Sequence, residues 1–180
     1  MAQLHKDGKC PLGDELLSLS RCPTNYGTSF SGYITNGYRF HTQSREKNLQ
    51  TQNSGVFVLG NMGAGTENID YYGVLTEVVR LEYMGGNHVV LFRCNWWDVH
   101  DAGRGVKVDK FGFVSLNSKR LLKGNIPFIF ASQASQVFYC DDVASKGWLI
   151  VIKVQACNVY DISMPVKMKL KLRIILLIRS

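Results

Sequence analysis

One stretch of the chain restricts its fold more than any other, because residues 71–99 have the pattern of a long β-hairpin. In YYGVLTEVVRLEY the odd positions from Tyr71 to Tyr83 are mostly apolar, whereas polar side chains such as Arg80 occupy even positions. A period of two is typical of a strand, whose successive side chains point to opposite faces. The MGGN that follows predicts a tight turn, and HVVLFRCNWWDV predicts the returning strand.

Shorter strand signals lie on both sides of this hairpin. Aromatic and β-branched residues in SGYITNGYRFHT surround Asn36-Gly37, a dipeptide typical of hairpin turns. The polar stretches TQSREKNLQTQNSG and HDAGRGVKVD predict loops, and KRLLKGNIP predicts an irregular link. Further strands are predicted in VFVLG, in FGFVSL, on both sides of a bend in PFIFASQASQVFYCDD, and in GWLIVIKVQACNVYD.

Five or six strands with short connections predict a mainly β fold, a small antiparallel barrel or sandwich, with the SH3-like barrel as one form of it. The predicted β-rich domain covers residues 32–161. Residues 1–31 form an irregular N-terminal segment with one short helix at GDELLSLS. Residues 162–180 form a basic and apolar tail outside the core, where alternating lysines and apolar residues predict either an added edge strand or a short helix.

The net charge of +7 is concentrated in that tail. No acid follows Asp161, and five of the 21 bases do, which leaves 16 bases against 14 acids and a net charge of about +2 for the rest of the chain. A balance this small gives little support for a nucleic-acid-binding face on the folded part.

The cysteines and the chain ends indicate the cellular compartment. The five cysteines include no CxxC pair, so the spacing indicates neither a zinc site nor a disulfide framework. The N-terminus has no apolar signal-peptide core, and Ile174–Ile178 is too short to span a bilayer. We therefore expect an intracellular protein with reduced thiols, nuclear if it is functional, and no membrane partner.

The order of several stretches resembles one family, the plant domain of unknown function catalogued four-two-one-six that occurs in CACTA (En/Spm)-type transposon proteins. The similarity covers roughly residues 16–161. In that family the domain follows a catalytic transposase domain, and the resemblance implies no catalytic residues for the domain itself. The matching stretches are GYITNGYRFHTQSRE, TQNSGV, YYGVLTEVVRLEY, VVLFRCNWWDV, RGVKVDKFGFVSLN, PFIFASQASQVFYCDD and WLIVIK followed by VYD.

Residues that could carry out chemistry do not form a recognisable site. Transposases of the DDE type need converging carboxylates on two metal ions, and the acids here fall at predicted turns and strand ends. His88, Cys94 and His100 share parity on one strand, but residues six apart lie roughly 20 Å from each other, too far to share an ion. We therefore expect no enzyme activity, no cofactor and no metal. The acids are Glu77, Glu82, Asp98, Asp101, Asp109, Asp141 and Asp142.

Two adjacent aromatic pairs are the candidate binding residues. Because neighbouring strand residues face opposite ways, Trp96 and Trp97 cannot both enter one core, and neither can Tyr71 and Tyr72. One member of each pair is then expected to be exposed or partly exposed, where it could stack on a base or line a groove for a peptide or a methylated lysine. The alternative is that these aromatic residues cover a barrel end or contact the N-terminal segment.

Three interpretations remain open from the sequence. The chain is a non-catalytic interaction module of a transposon-derived protein, a fragment of a DNA-processing transposase or nuclease, or a non-functional mobile-element remnant. For an interaction module the candidate partners are DNA, chromatin or another transposon-encoded protein, and no sequence feature selects one of them.

Overall fold

The computed structural model describes residues 22–24, 26–47, 49–60, 69–124 and 127–156, together with the backbone of 167–170. The helix predicted at GDELLSLS lies outside these residues. Within them the chain forms twelve strands and one single-turn helix, α1, at Gln43–Glu46. The strands are β1 (Gly27–Phe30), β2 (Gly32–Thr35), β3 (Tyr38–His41), β4 (Gly55–Val58), β5 (Tyr71–Glu82), β6 (His88–Trp96), β7 (Val106–Val108), β8 (Val114–Asn117), β9 (Phe128–Phe130), β10 (Ser135–Asp141), β11 (Trp148–Lys153) and β12 (Lys167–Leu170).

The central strand of the larger sheet is β5. Along one edge it pairs with β6 over its length. Along the other edge its first four residues pair with β4 and the stretch Val78–Leu81 pairs with β1, both antiparallel. The sheet continues from β4 through β10, β11 and β8 to β7, from β1 to β12, and from β6 to β9. The mainly β, antiparallel fold predicted from the sequence is therefore confirmed.

A bulge in β5 changes which side chains face each side of the sheet. Leu75 pairs with Cys94 and Glu77 pairs with Arg93, so Thr76 is an extra residue on β5. The Thr76 hydroxyl donates a hydrogen bond to the Arg93 carbonyl at 2.9 Å, which holds this residue in place. The prediction that odd positions share one apolar face along the whole strand is therefore wrong. Leu75 and Val78, which differ in parity, are both fully buried in the same cluster.

Apolar side chains pack on both faces of the sheet. The first cluster contains Phe30, Phe40, Val56, Leu75, Val78, Phe92, Cys94, Trp96, Ala131 and Ala134. The second cluster contains Phe57, Tyr72, Trp97, Val99, Leu116, Val137 and Val151. Two clusters on opposite faces account for the apolar content of the central strands, since a strand buried on both faces has no polar side to alternate with.

The β2–β3 hairpin covers the first cluster. Its turn uses Asn36 and Gly37 at φ of 52° and 75°, which confirms the predicted asparagine–glycine turn. Phe40 packs its ring edge-on against Phe92 with centroids 5.0 Å apart. The Asn36 side-chain amide donates to the Ser132 carbonyl at 2.8 Å, which ties the turn to the segment between β9 and β10.

Other local predictions were confirmed for the strands and wrong in part for the loops. The strands predicted around the FASQAS bend, in VFVLG, in FGFVSL and in GWLIVIK are confirmed as β9, β10, β4, β8 and β11. The polar stretch predicted as a loop after His41 contains α1, and the one after His100 contains β7, so both loop predictions are wrong in part. The tail contributes β12, an edge strand paired with β1. No helix of the described residues is long and apolar enough to cross a membrane.

Gly73 should be among the positions least tolerant of substitution. It pairs with Trp96, and a Cβ there would lie 2.6 Å from the indole ring and 2.9 Å from the Asn95 carbonyl oxygen. We expect Gly73→Ala to lower the free energy of unfolding by about 1–3 kcal/mol, as overpacking commonly does. Gly124→Ala is the control because no atom lies within 4 Å of its Cβ. Urea denaturation followed by circular dichroism measures both, and equal stabilities would contradict this account.

Candidate functional site

The two tryptophans lie on opposite faces of the sheet, as expected, but both are buried. Trp96 is 8% exposed in the first cluster and Trp97 is 6% exposed in the second. The Trp97 ring meets Tyr139 edge-on with centroids 4.5 Å apart. The prediction that one of this pair is at the surface is therefore wrong. The reason is that the second cluster covers the sheet at Trp97, although Arg93 and Asn95, earlier on the same side of the strand, are exposed.

The two tyrosines differ in burial. Tyr71 is half-buried and packs against residues of both clusters, and its ring meets His100 with centroids 5.7 Å apart. Tyr72 is buried in the second cluster and stacks on Phe57 at 5.3 Å. Burial, assisted by the neighbouring Asp70 carboxylate, raises the pKa of Tyr72 to about 12. Of the four predicted binding residues, only Tyr71 is partly accessible.

Tyr71 and Trp96 meet at a cavity of about 470 Å³ on the face of the first cluster. That volume falls within the range of roughly 300–1,000 Å³ typical of ligand pockets. Most of the wall is apolar, and Asn95 supplies a polar side chain. The lining residues are Val58, Tyr71, Cys94, Asn95, Trp96, Leu121, Leu122, Gly124, Pro127, Phe128 and Ile129.

Main-chain hydrogen bonds to β6 hold the outer wall of the cavity in place. The Leu122 amide donates to the Trp96 carbonyl at 2.8 Å, and the Cys94 amide donates to the Pro127 carbonyl at 2.8 Å. Together they tie Leu122 and Pro127 to β6. The wall is therefore positioned by the sheet and does not depend on its own side chains alone.

An open sheet edge adjoins the cavity. Among the described residues β9 pairs only with β6. Since the Pro127 carbonyl points toward β6, alternation directs the main-chain groups of Phe128 away from it. The Phe130 amide, on the same outward side, donates to the Gln133 side-chain carbonyl at 3.2 Å. Phe128 and Phe130 are 39% and 52% exposed, so this edge presents apolar side chains as well as main-chain groups.

The thiol in the cavity is poorly suited to nucleophilic chemistry. Cys94 is 2% exposed, and burial raises its pKa far above the usual range for a thiol. A thiol with a raised pKa stays protonated near neutral pH, whereas the thiolate is the reactive form. Cys94 therefore serves as a small apolar residue of the first cluster.

The residues considered for a metal site are dispersed. His88 is exposed at the start of β6, Cys94 is buried, and His100 lies against Tyr71. Asp98 and Asp101 do converge, but on the Arg120 guanidinium, at 3.1 and 2.9 Å. The described part of the chain contains no group of three or more histidine, cysteine or acidic residues that could hold a metal ion.

The sequence did not reveal the cavity or the arginine that joins the two aspartates. The cavity residues Leu121, Leu122 and Gly124 come from a stretch whose pattern predicted only an irregular link. One signal was present, since Leu121 and Leu122 are consecutive leucines in an otherwise polar link. Their apolar side chains needed an apolar neighbour, and β6 supplies it.

Residues 79–151 match the model of the family described as Domain of unknown function (DUF4216). The match begins in the second half of β5 and ends in β11, so it includes Trp96, Trp97 and most of the cavity wall. No curated protein and no solved structure matches the chain. By its fold and by this comparison, the chain is a mainly β domain, and one segment of it is similar to a family of unknown function.

The burial of Trp97 leads to a stability prediction. Trp97→Ala should lower the free energy of unfolding by about 3–5 kcal/mol, because truncating a buried aromatic residue leaves a cavity. Phe111→Ala, at a side chain that is 74% exposed, should change it by less than about 0.5 kcal/mol. Chemical denaturation followed by circular dichroism compares the two variants. Similar small losses in both would place Trp97 at the surface and contradict the two-cluster core.

Proposed function

We propose that the domain is a non-catalytic interaction module that binds an extended segment of a partner protein along β9. One observation carries the proposal, namely that the open edge of β9 lies beside an apolar cavity lined by Tyr71 and Trp96. An edge strand supplies main-chain hydrogen bonds to an added strand, and an adjacent pocket selects a side chain.

The geometry suits this mode of recognition. The outward main-chain groups of Phe128 would pair with the bound segment, and one of its apolar side chains would enter the cavity. Trp96 is held by packing across Gly73, and the outer wall is held by hydrogen bonds to β6. A pocket whose walls are fixed before binding loses little conformational entropy on binding.

The proposal extends to the origin of the protein. We place the module in a plant transposon-derived protein of the CACTA type. The support is the ordered resemblance described above, from GYITNGYRFHTQSRE to the WLIVIK strand, of which residues 79–151 match the family model. In this setting the bound segment would belong to another transposon-encoded protein or to a chromatin protein.

A non-catalytic role is favoured over a DNA-processing one by the carboxylates. The guanidinium of Arg120 already lies between Asp98 and Asp101. Arg104 pairs with Asp101 as well, at 3.1 Å. Charges neutralised in this way have less need of a metal ion, which two-metal chemistry would require of them.

Filling the cavity tests the proposal. Gly124→Leu adds a side chain at the cavity wall, where a Cβ meets no atom within 4 Å and the backbone suits any residue. Selection of random linear peptides by phage display on the full chain should enrich peptides with alternating apolar residues. The variant should bind them about tenfold or more weakly, since burying one apolar side chain contributes about 1.5–3 kcal/mol.

Ala144→Leu is the matched control because it adds the same side chain at an exposed turn between β10 and β11. It should bind the selected peptides as tightly as the unmodified chain. The proposal fails if selection enriches no peptide, or if the enriched peptides bind Gly124→Leu and the unmodified chain equally. Circular dichroism of each variant excludes loss of folding as the cause of weaker binding.

A further inference from the structure

The turn between β7 and β8 is ordered and carries an exposed phenylalanine. The Asp109 carboxylate accepts hydrogen bonds from the amides of Phe111 and Phe113, both at 2.8 Å. The Asp109 amide donates to the Phe113 carbonyl, and Gly112 takes the positive φ of 86° that the turn requires. A turn bonded in this way fixes the backbone at Phe111, whose ring is 74% exposed to solvent.

Two lysines of the same hairpin lie over aromatic rings. The Lys107 ammonium is 3.8 Å from the centre of a Trp148 ring, and that of Lys110 is 4.9 Å from the Phe111 ring. Neither lysine forms an ion pair with a carboxylate of the described residues. Each ammonium group therefore remains available to an external anion while its ring neighbour remains at or near the surface.

Positive charge is concentrated in this part of the sheet. Residues 104–123 contain six bases and one acid, Asp109, whereas the chain before the tail carries a net charge of only about +2. Arg104 and Arg120 are paired with Asp98 and Asp101. The remaining lysines of the segment are exposed. The near-neutral total therefore conceals a locally basic segment, although Asp141 and Asp142 lie beside Leu149 and Trp148 at the end of β10.

The strand register places Lys107 and Trp148 on one side of the sheet. Lys107 pairs with Ser115, which pairs with Ile150, and Trp148 lies two residues from Ile150 on β11, hence on the same face. Lys119 and Lys146 are exposed at the far ends of β8 and β11. We call this surface the basic track, formed by Lys107, Lys110, Phe111, Lys119, Lys146 and Trp148.

We propose that the basic track binds single-stranded nucleic acid. Aromatic rings that stack on bases, combined with lysines that contact phosphates, are the features by which proteins hold single strands without reading their sequence. Phe111, 74% exposed, offers its ring to a base at one end of the track, and Trp148, half-buried with Lys107 over its ring, lies further along. This function is separate from peptide binding at β9.

The arrangement favours a strand over a lipid surface. A hairpin that inserts into a membrane needs its apolar residues grouped at one depth, with cations around them at the level of the headgroups. Exposed apolar side chains do group at the turn, where Val108, Phe111 and Phe113 are 65%, 74% and 57% exposed. The Trp148 ring lies outside that group, because its partner Asn117 is three residues or about 10 Å from the turn end of β8. A single strand that runs from the turn past Lys107 to Trp148 would use both rings, whereas a membrane would take up only the turn.

The test is fluorescence anisotropy of a labelled oligothymidylate titrated with the full chain at several salt concentrations. Phe111→Ala should weaken binding by about fivefold to a hundredfold, the range for loss of one stacking ring. The double variant Lys107→Gln and Lys110→Gln should reduce the slope of log affinity against log salt by about 1.4, or about 0.7 for each phosphate that is no longer neutralised. The tail lysines are present in every variant and do not affect these differences.

Matched controls separate the track from general effects. Phe130→Ala removes an exposed ring on β9, and Lys47→Gln removes an exposed charge after α1. Both should leave oligonucleotide binding unchanged, and so should Gly124→Leu, which keeps this test independent of the β9 site. Circular dichroism confirms that each variant is folded.

Three results would overturn the proposal. They are no binding of the oligonucleotide by the unmodified chain, equal binding by the track variants and the controls, and a loss in Phe111→Ala of binding to phosphatidylserine vesicles without a loss of oligonucleotide binding. The third result would identify the turn as a membrane-binding element.

Discussion

The antiparallel pairing of β5 on both of its edges is the interaction on which the rest of the structure depends. Along one edge it pairs with β6, and along the other it pairs first with β4 and then with β1. The bulge at Thr76 lies where the second edge passes from β4 to β1. Since a bulge increases the local twist, it allows the two parts of the sheet to diverge while one strand remains common to both.

This arrangement determines where recognition can occur. Phe92 and Trp96 on β6 and Tyr72 on β5 are buried in the two clusters, so these aromatic residues contribute to stability. Trp96 also lines the cavity, so under the proposed function it would serve binding as well. The surfaces left for partners lie toward the periphery, at β9 and at the β7–β8 hairpin, where pairing or packing is one-sided among the described residues.

The sequence patterns predicted the hairpins correctly, but they did not predict which side chains face each side of the sheet. The turns at Asn36-Gly37 and MGGN depend on local residue preferences, and both were identified from a few letters. The bulge at Thr76 depends on the cross-strand register, which no local pattern encodes, and missing it reversed the assigned face beyond Leu75. The burial of both tryptophans was missed for a related reason, because alternation predicts opposite faces but does not say whether each face is covered. The basic track was hidden by summing charges over the whole chain, since a count over residues 104–123 alone gives six bases against one acid.

Native-state hydrogen exchange of the full chain, followed residue by residue by NMR, tests the central role of β5 most directly. The slowest amides of a domain exchange only through global unfolding. The β5 and β6 amides that pair with each other should belong to this slowest class. The amides of the peripheral β7–β8 hairpin should exchange through smaller local openings. Amides of β5 that exchange with a lower free energy than those of β7 and β8 would contradict it.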